Sequence, residues 1–571
     1  MNIQGEGTKE HTYDAIVVGS GISGGWAAKE LSEKGLKTLV LERGRNVKHG
    51  DYPTAHMEPW EFVGRGAKDQ ERLLRQKKQD RTGYTTHPAS AHWFVDDVDN
   101  PYSEDQPFDW MRGYHVGGRS LLWGRQSYRL SELDFQANAK DGFGVDWPIR
   151  YKDIASWYDY VESFAGISGS NEGLSQLPDG KFLPPMEMTC VETHMRQSIE
   201  SSFNNRTMII GRVANLTQPH NGRGNCQFRN RCIRGCPYGA YFSSNVSTLP
   251  AGFASGNLTL RPFSIVNSLI FDKKKDKAIG VRIIDAETHE FIEYYSKVIF
   301  LCASAVASTY ILMNSKSDRF PNGFGNDSGE LGHNLMDHHF KVGASGRFDG
   351  FDDKYYKGRR PNGIYIPRFR NLDKASTQKD YVRGFGYQGR ASRDNWSRGI
   401  AELARFGPEL KADLIEPGPW RFGIGSWGEC LPYHKNRMYL NEDVRDKWGQ
   451  PTVTFDCGWK ENEYAMRKDM KQSAIDMIEA AGGKDIQPFD TPEKSNPGNC
   501  IHEMGTARMG KSPKTSVLNK WNQVHASKNV FVTDGACMTS AACQNPSLTY
   551  MALSARAADR AVSELKKGNL S

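Results

Sequence analysis

The stretch that decides the fold is Val17-Val18-Gly19-Ser20-Gly21-Ile22-Ser23-Gly24-Gly25. It reads G-x-G-x-x-G. A β-branched run, Asp14 to Val18, precedes it, and a helix pattern from Gly24 to Lys34 follows, with Gly35 as the stop. Gly19 permits the tight turn, Gly21 lets the backbone approach a pyrophosphate, and Gly24 allows helix and strand to pack closely. The free N–H groups at the helix start then favour an anion. Leu36 to Glu42 reads as a second buried strand. Glu42 ends it, about 20 residues beyond the glycines, where an acid accepts hydrogen bonds from ribose hydroxyls. Strand, helix, second strand and terminal acid together predict a dinucleotide-binding βαβ unit. The acid argues against a 2′-phosphate ligand but leaves FAD and NAD open.

Outward from that unit, the chain of 571 residues is too long for one ordinary core and predicts two domains. Hydrophobic residues make up 38% and charged residues 25%, a globular composition. No window approaches the ~18 continuous apolar residues of a membrane span. The N-terminus, Met1-Asn2-Ile3-Gln4-Gly5-Glu6, has neither a basic stretch nor an apolar core, so no export signal is expected there. A net charge of +7 is mild at this length. The densest basic run, Lys273-Lys274-Lys275, is flanked by Asp272 and Asp276 and reads as a solvated hairpin turn, not a nucleic-acid contact.

Residues 45–110 read as an irregular insertion with a helix around Asp69 to Lys78. Short strands and turns alternate over 195–300. Val298 to Leu301 is another apolar strand, followed by a helix pattern from Ala305 to Asn314. From 340 to 495 the texture turns to aromatic-rich strands such as Gly384 to Gly389 and Phe422 to Leu431, and 496–571 returns to βα character and ends in a helix from Tyr550 to Lys566. The expected architecture is α/β. A Rossmann-like nucleotide domain is built from 1–339 and 496–571, and an antiparallel-sheet substrate domain spans 340–495.

The C-terminal third carries three further motifs: His502-Glu503-Met504-Gly505-Thr506-Ala507-Arg508-Met509-Gly510, then Asn529 to Gly535, then Gln544-Asn545-Pro546-Ser547. Upstream stand Val116-Gly117-Gly118-Arg119-Ser120 with Trp123, the segment Val298 to Leu312, and Gly332-His333-Asn334-Leu335-Met336-Asp337-His338. In this order, over nearly the whole chain, they resemble the glucose–methanol–choline (GMC) oxidoreductase family. The resemblance implies FAD in an extended pose. It implies His502 as the catalytic base, taking the hydroxyl proton while hydride leaves the same carbon for flavin N5. An imidazole suits that task near neutral pH. It implies Asn545 as the second catalytic residue, donating to the substrate oxygen. It assigns Gly19, Gly21, Gly24, Glu42, Arg43, Gly117, Gly118, Ser120, Val266, Asp534 and Pro546 to the cofactor. Leu122 stands where pyranose oxidases carry a flavin-linking histidine, so FAD is expected to be non-covalent. A zinc-protease reading of His502-Glu503 fails, because position 506 is Thr506 and not a second histidine.

Of ten cysteines, most sit in apolar or small-residue contexts and read as core residues. Cys226, Cys232 and Cys236 differ. They fall within eleven residues, in a loop with Gly224, Gly235, Pro237 and three arginines. Three thiolates are one short of a closed zinc site, and the Cys-Pro ending is that of ferredoxin-like loops. The loop resembles that of bacterial sugar dehydrogenase large subunits, where three such cysteines hold a [3Fe–4S] cluster. This implies a dehydrogenase passing electrons through the cluster to a cytochrome c-type acceptor, not an O₂-using oxidase. Among those relatives the chain looks most like catalytic subunits that oxidise the C3 hydroxyl of glucosides. Alternatives are a gluconate- or glucose-dehydrogenase-like enzyme of other regiochemistry, a pyranose-oxidase-like enzyme, or a redox-neutral or inactive FAD scaffold. Gln388, with Tyr387, Trp420 and Trp427, is the candidate sugar-contacting set. The resemblance also implies a small signal-bearing partner subunit and export to the periplasm with it. A cytoplasmic location fits the N-terminus equally.

Overall fold

A computed structural model describes residues 12–83, 85–354, 360–393, 406–415 and 417–570. The N-terminal residues from which the lack of an export signal was read lie outside them. The glycine motif sits as its spacing predicts. Strand Thr12–Val18 runs into helix Ile22–Glu33, and Thr38–Leu41 returns parallel to the first strand, with Val17 beside Val40. Strands Phe291–Leu301 and Leu258–Arg261 extend this sheet in parallel on either side, and Ser527–Val532 adds beyond the first of these. Apart from Ile292, their Val, Ile and Leu residues are buried on both faces, as parallel strands covered by helices require. Two further strands, Ser264–Asp272 and Lys277–Asp285, form an antiparallel meander onto Phe291–Leu301. The lysine run forms the turn between them, as expected.

The last helix, Ser547–Lys566, packs on helix Ile22–Glu33. The C-terminal segment thereby completes the nucleotide fold that the N-terminus begins. Helix Ala305–Asn314 spans the predicted residues.

A second, six-stranded sheet runs in the order Lys484–Asp490, Val342–Phe348, Trp420–Gly428, Phe385–Arg393, Ile364–Ile366, Ile209–Ile210. Its pairings are antiparallel. Burial alternates along Trp420–Gly428, the period of a sheet with two different faces. Phe422 and Ile424 pack with Met466, Met470, Met477 and Ile478 of helix Glu461–Ala480. Arg421, Gly423, Gly425 and Trp427 turn the other way.

That period corrects two expectations. Tyr387 lies on the helix side, its hydroxyl donating to the Met470 carbonyl at 2.6 Å, and Trp420 is buried in the same core. Neither is free to stack on a sugar. The predicted helix from Asp69 to Lys78 is also corrected. It is two short helices, Gln70–Arg75 capped by Asp69, and Lys77–Asp80. Gln76 breaks them because its buried side chain holds Asp96 and Arg72, a tertiary demand that overrides helix continuity. No helix among the described residues is long and apolar enough to cross a membrane.

Candidate active site

A cavity of about 440 Å³ runs from the glycine turn to His502 and Asn545. That size suits a small-molecule or cofactor site. Gly19, Gly21, Glu42, Arg43, Gly118, Ser120, Val266, Asp534, His502 and Asn545 all line it. The cysteine triad lies apart, in a neighbouring hollow.

At one end, Glu42 accepts from the Ser20 hydroxyl and backbone N–H and from the Gly44 N–H. Ser20 in turn accepts from the Gly117 N–H at 2.9 Å, locking the two glycine segments together. Gly117 itself stands behind the wall, with φ +86°, and a Cβ there would sit 1.7 Å from Asn245 Oδ1. Gly24 is also behind the wall and serves packing. Arg43 lies over the Tyr114 ring and pairs with Asp446 and Trp448, which come from the turn between strands Arg437–Arg445 and Pro451–Asp456. Opposite, Asp534 accepts from Ser308 and from the Ala536 N–H, and burial pushes its carboxyl up to about 6. Arg119 makes a two-pronged bond to Glu503 at 3.0 and 2.9 Å, tying the second glycine segment to the histidine motif. The glycine turn, the open space at Gly21 and the acid at the strand end fit FAD. Leu122 lines the cavity and offers no nucleophile.

The other end holds the chemistry. His502 is half-buried, lines the cavity and touches His338, Nδ1 to Nδ1 at 2.7 Å. His338 Nε2 lies 2.8 Å from the Ala542 carbonyl. A carbonyl can only accept, so His338 carries its hydrogen on Nε2 and presents a bare Nδ1. His502 must then donate from its own Nδ1, which leaves its Nε2 as a lone pair. Burial, with His338 and Arg119 adding, pulls His502 well below the usual imidazole range, and burial takes His338 down to about 4. Both rings are neutral near pH 7.

Asp337 organises this corner. Its Oδ1 accepts from the backbone N–H groups of His338 and His502, and its Oδ2 from that of Cys500. Burial, then Glu503, pushes it up to about 7. Asn545 accepts from Gln388 Nε2 at 2.6 Å through Oδ1, so its Nδ2 hydrogens are left to donate. Trp427 shares the Gln388 face of the sheet and stacks near Phe340. Pro546 begins the last helix and does not line the cavity. The site roles drawn from the sequence omitted His338, Asp337, Cys500 and Glu503, although Asp337-His338 and Glu503 stood inside the motifs quoted for the family.

Comparison with known proteins decides the family. The GMC oxidoreductase N-terminal model matches residues 13–340 and its C-terminal model residues 432–554. The chain belongs to the GMC oxidoreductase family. It is an FAD-dependent oxidoreductase. It is 26% identical to the fructose dehydrogenase large subunit of Gluconobacter japonicus, over 97% of this chain and 98% of that one. It is 28% identical to 2-methyl-1,2-propanediol dehydrogenase of Mycolicibacterium austroafricanum, over 97% and 95%. The fold matches that of an Aspergillus oryzae RIB40 formate oxidase variant with a TM-score of 0.59, at 14% identity, covering 99% of this chain and all of that one. The two GMC family models flank 341–431, which includes most of the second sheet.

The three loop cysteines line one hollow with Phe228, Arg229, Arg231 and Tyr241. No disulfide joins cysteines among the described residues. The loop thiols do not gather within 4.8 Å of one another, the span at which His338, Cys500 and His502 do. Ile233, next to Cys232, reaches into the cofactor cavity, so the loop forms part of that cavity's wall.

Proposed function

We propose that this protein is a dehydrogenase of sugar or glycoside hydroxyls, with His502 as base and Asn545 as hydrogen-bond donor. The observation that carries the reading is the His502 Nε2 lone pair, left bare by the His338 bond, in the same cavity as the Asn545 amide. When bound, FAD supplies the two-electron acceptor for the hydride of the substrate carbon. The chain supplies the rest. His502 Nε2 takes the hydroxyl proton, Asn545 Nδ2 holds the substrate oxygen, and Gln388 holds Asn545. Trp427 offers a ring face on the same side of the sheet. Fructose dehydrogenase large subunit and the gluconate 2-dehydrogenase flavoprotein of Pantoea cypripedii, 23% identical, support a sugar as substrate. The finer reading is oxidation at C3 of glucosides to 3-keto sugars. Product analysis after turnover with an artificial acceptor tests it: a carbonyl at C3 is expected, and oxidation at another carbon overturns the regiochemistry.

His338 is a positioning residue in this scheme. The His338→Asn variant loses the fixed tautomer, and flavin reduction is expected to slow by about 10–100-fold with KM little changed. A KM effect with kcat intact would instead mark His338 as a substrate ligand.

Cys226, Cys232 and Cys236 are proposed to hold a [3Fe–4S] cluster. Their spread around a hollow suits a multi-iron cluster better than one shared ion, and Ile233 brings the loop beside the cofactor. The three nearby arginines balance thiolate charge. Purified protein is expected to contain about three irons per chain and the paramagnetic signal of an oxidised three-iron cluster, both lost in Cys232→Ser. Iron-free protein that makes peroxide rapidly from O₂ would favour an oxidase. The relative named as a large subunit supports a partner subunit; a cytochrome acceptor and export to the periplasm alongside that partner complete the proposal.

A further inference from the structure

We propose that His338, Cys500 and His502 form an inhibitory site for a thiophilic divalent cation, Zn²⁺, beside the cofactor cavity. The three ligand atoms lie within 4.8 Å of one another, and among the described residues no other His, Cys, Asp or Glu set does so. Tetrahedral zinc, with bonds of about 2.1 Å to nitrogen and 2.3 Å to sulfur, sets its ligand atoms roughly 3.4–3.6 Å apart. Cys500 Sγ is already 3.4 Å from His502 Nδ1. The two imidazole nitrogens, at 2.7 Å, need only part by several tenths of an ångström once the hydrogen between them leaves. The ligands are held in advance. One carboxylate, Asp337, accepts the backbone N–H of all three residues. Such outer support is what orders metal ligands. Cys500 and His502 line the cavity, which leaves the fourth position toward it.

The proton balance gives the consequence. Zinc takes the Cys500 sulfur as thiolate, releasing one proton. It takes His502 at Nδ1, and the hydrogen from that nitrogen moves to Nε2. His338 keeps its Nε2–H on the Ala542 carbonyl and offers Nδ1. The metal therefore flips the His502 tautomer, and Nε2 becomes a donor where the reaction needs an acceptor. This inhibitory consequence rests on His502 as the base; the zinc site itself does not.

The test is equilibrium dialysis of the holoenzyme against micromolar Zn²⁺, with metal content, flavin absorbance and the rate of flavin reduction recorded. Zinc is expected to perturb the flavin spectrum and slow reduction by about tenfold or more, with recovery on adding EDTA. The half-effective concentration should rise at least about tenfold in Cys500→Ser and in His338→Asn, the loss that even an outer-shell partner can cause. It should stay put in Cys232→Ser. Zinc effects that survive both active-site variants, or vanish in Cys232→Ser, overturn the site. Zinc bound at the site with flavin reduction untouched sustains the ligands and overturns inhibition through His502.

Discussion

Replacing His502 by Ala lowers substrate-driven flavin reduction by about 10²–10⁴-fold while FAD stays bound, the range expected when a positioned general base is lost. The side chain stands at the far end of the cavity from the glycine turn, so its removal should leave cofactor binding and the flavin spectrum intact. Anaerobic stopped-flow reduction measures the effect directly, and an unchanged rate would exclude this base. The pH profile gives a second signature. A base works only when unprotonated, and burial depresses the pKa of His502 well below the usual imidazole value. The rate should thus be flat through neutrality and fall only as pH drops through that lowered pKa. The acid limb should disappear in His502→Ala, whose residual rate no longer depends on this proton.

Gly24→Ala is expected to abolish FAD binding and destabilise the fold by about 3 kcal/mol or more, at or beyond the upper end of overpacking costs. The cause is steric. A Cβ at Gly24 would lie 2.0 Å from the Gly19 carbonyl oxygen and 2.8 Å from its carbon, and both are backbone. No side-chain rotation relieves that clash. The helix must move off the strand, and with it the N–H groups that would face the pyrophosphate. Flavin content after purification and a thermal melt check it. A yellow, fully stable Gly24→Ala protein would show that the turn does not bear on the cofactor. The same change at Gly21 meets nothing nearer than the Gly117 oxygen at 4.0 Å, so its effect should fall on FAD affinity more than on stability.

Much of this molecule is legible along the chain. The first βαβ unit is short-range: spacing of three glycines, a β-branched run and an acid fix it, and nothing distant can rearrange it cheaply. Helix Ala305–Asn314 and the lysine turn are local in the same sense. His502 and Asn545 could be singled out because their motifs are contiguous. What the chain does not display is which face of a strand looks at the site. Tyr387 and Gln388 are neighbours in sequence, yet the period of two sends one into the helix-side core and the other to Asn545. The gap between Asp69 and Lys78 was hidden for a related reason, since Gln76 answers to Asp96 across the fold and not to its own helix.

By itself the sequence determined the nucleotide fold, because the glycines, the β-branched run and the acid stand in one local pattern, while the flavin and the two residues proposed to act on the substrate came through the resemblance of its motifs to the GMC family. Only the tertiary structure decided the tautomer of His502. That depends on a hydrogen-bond chain through His338 to the carbonyl of Ala542, three groups brought from separate parts of the chain. A proton can be placed only when every partner of the ring is in position.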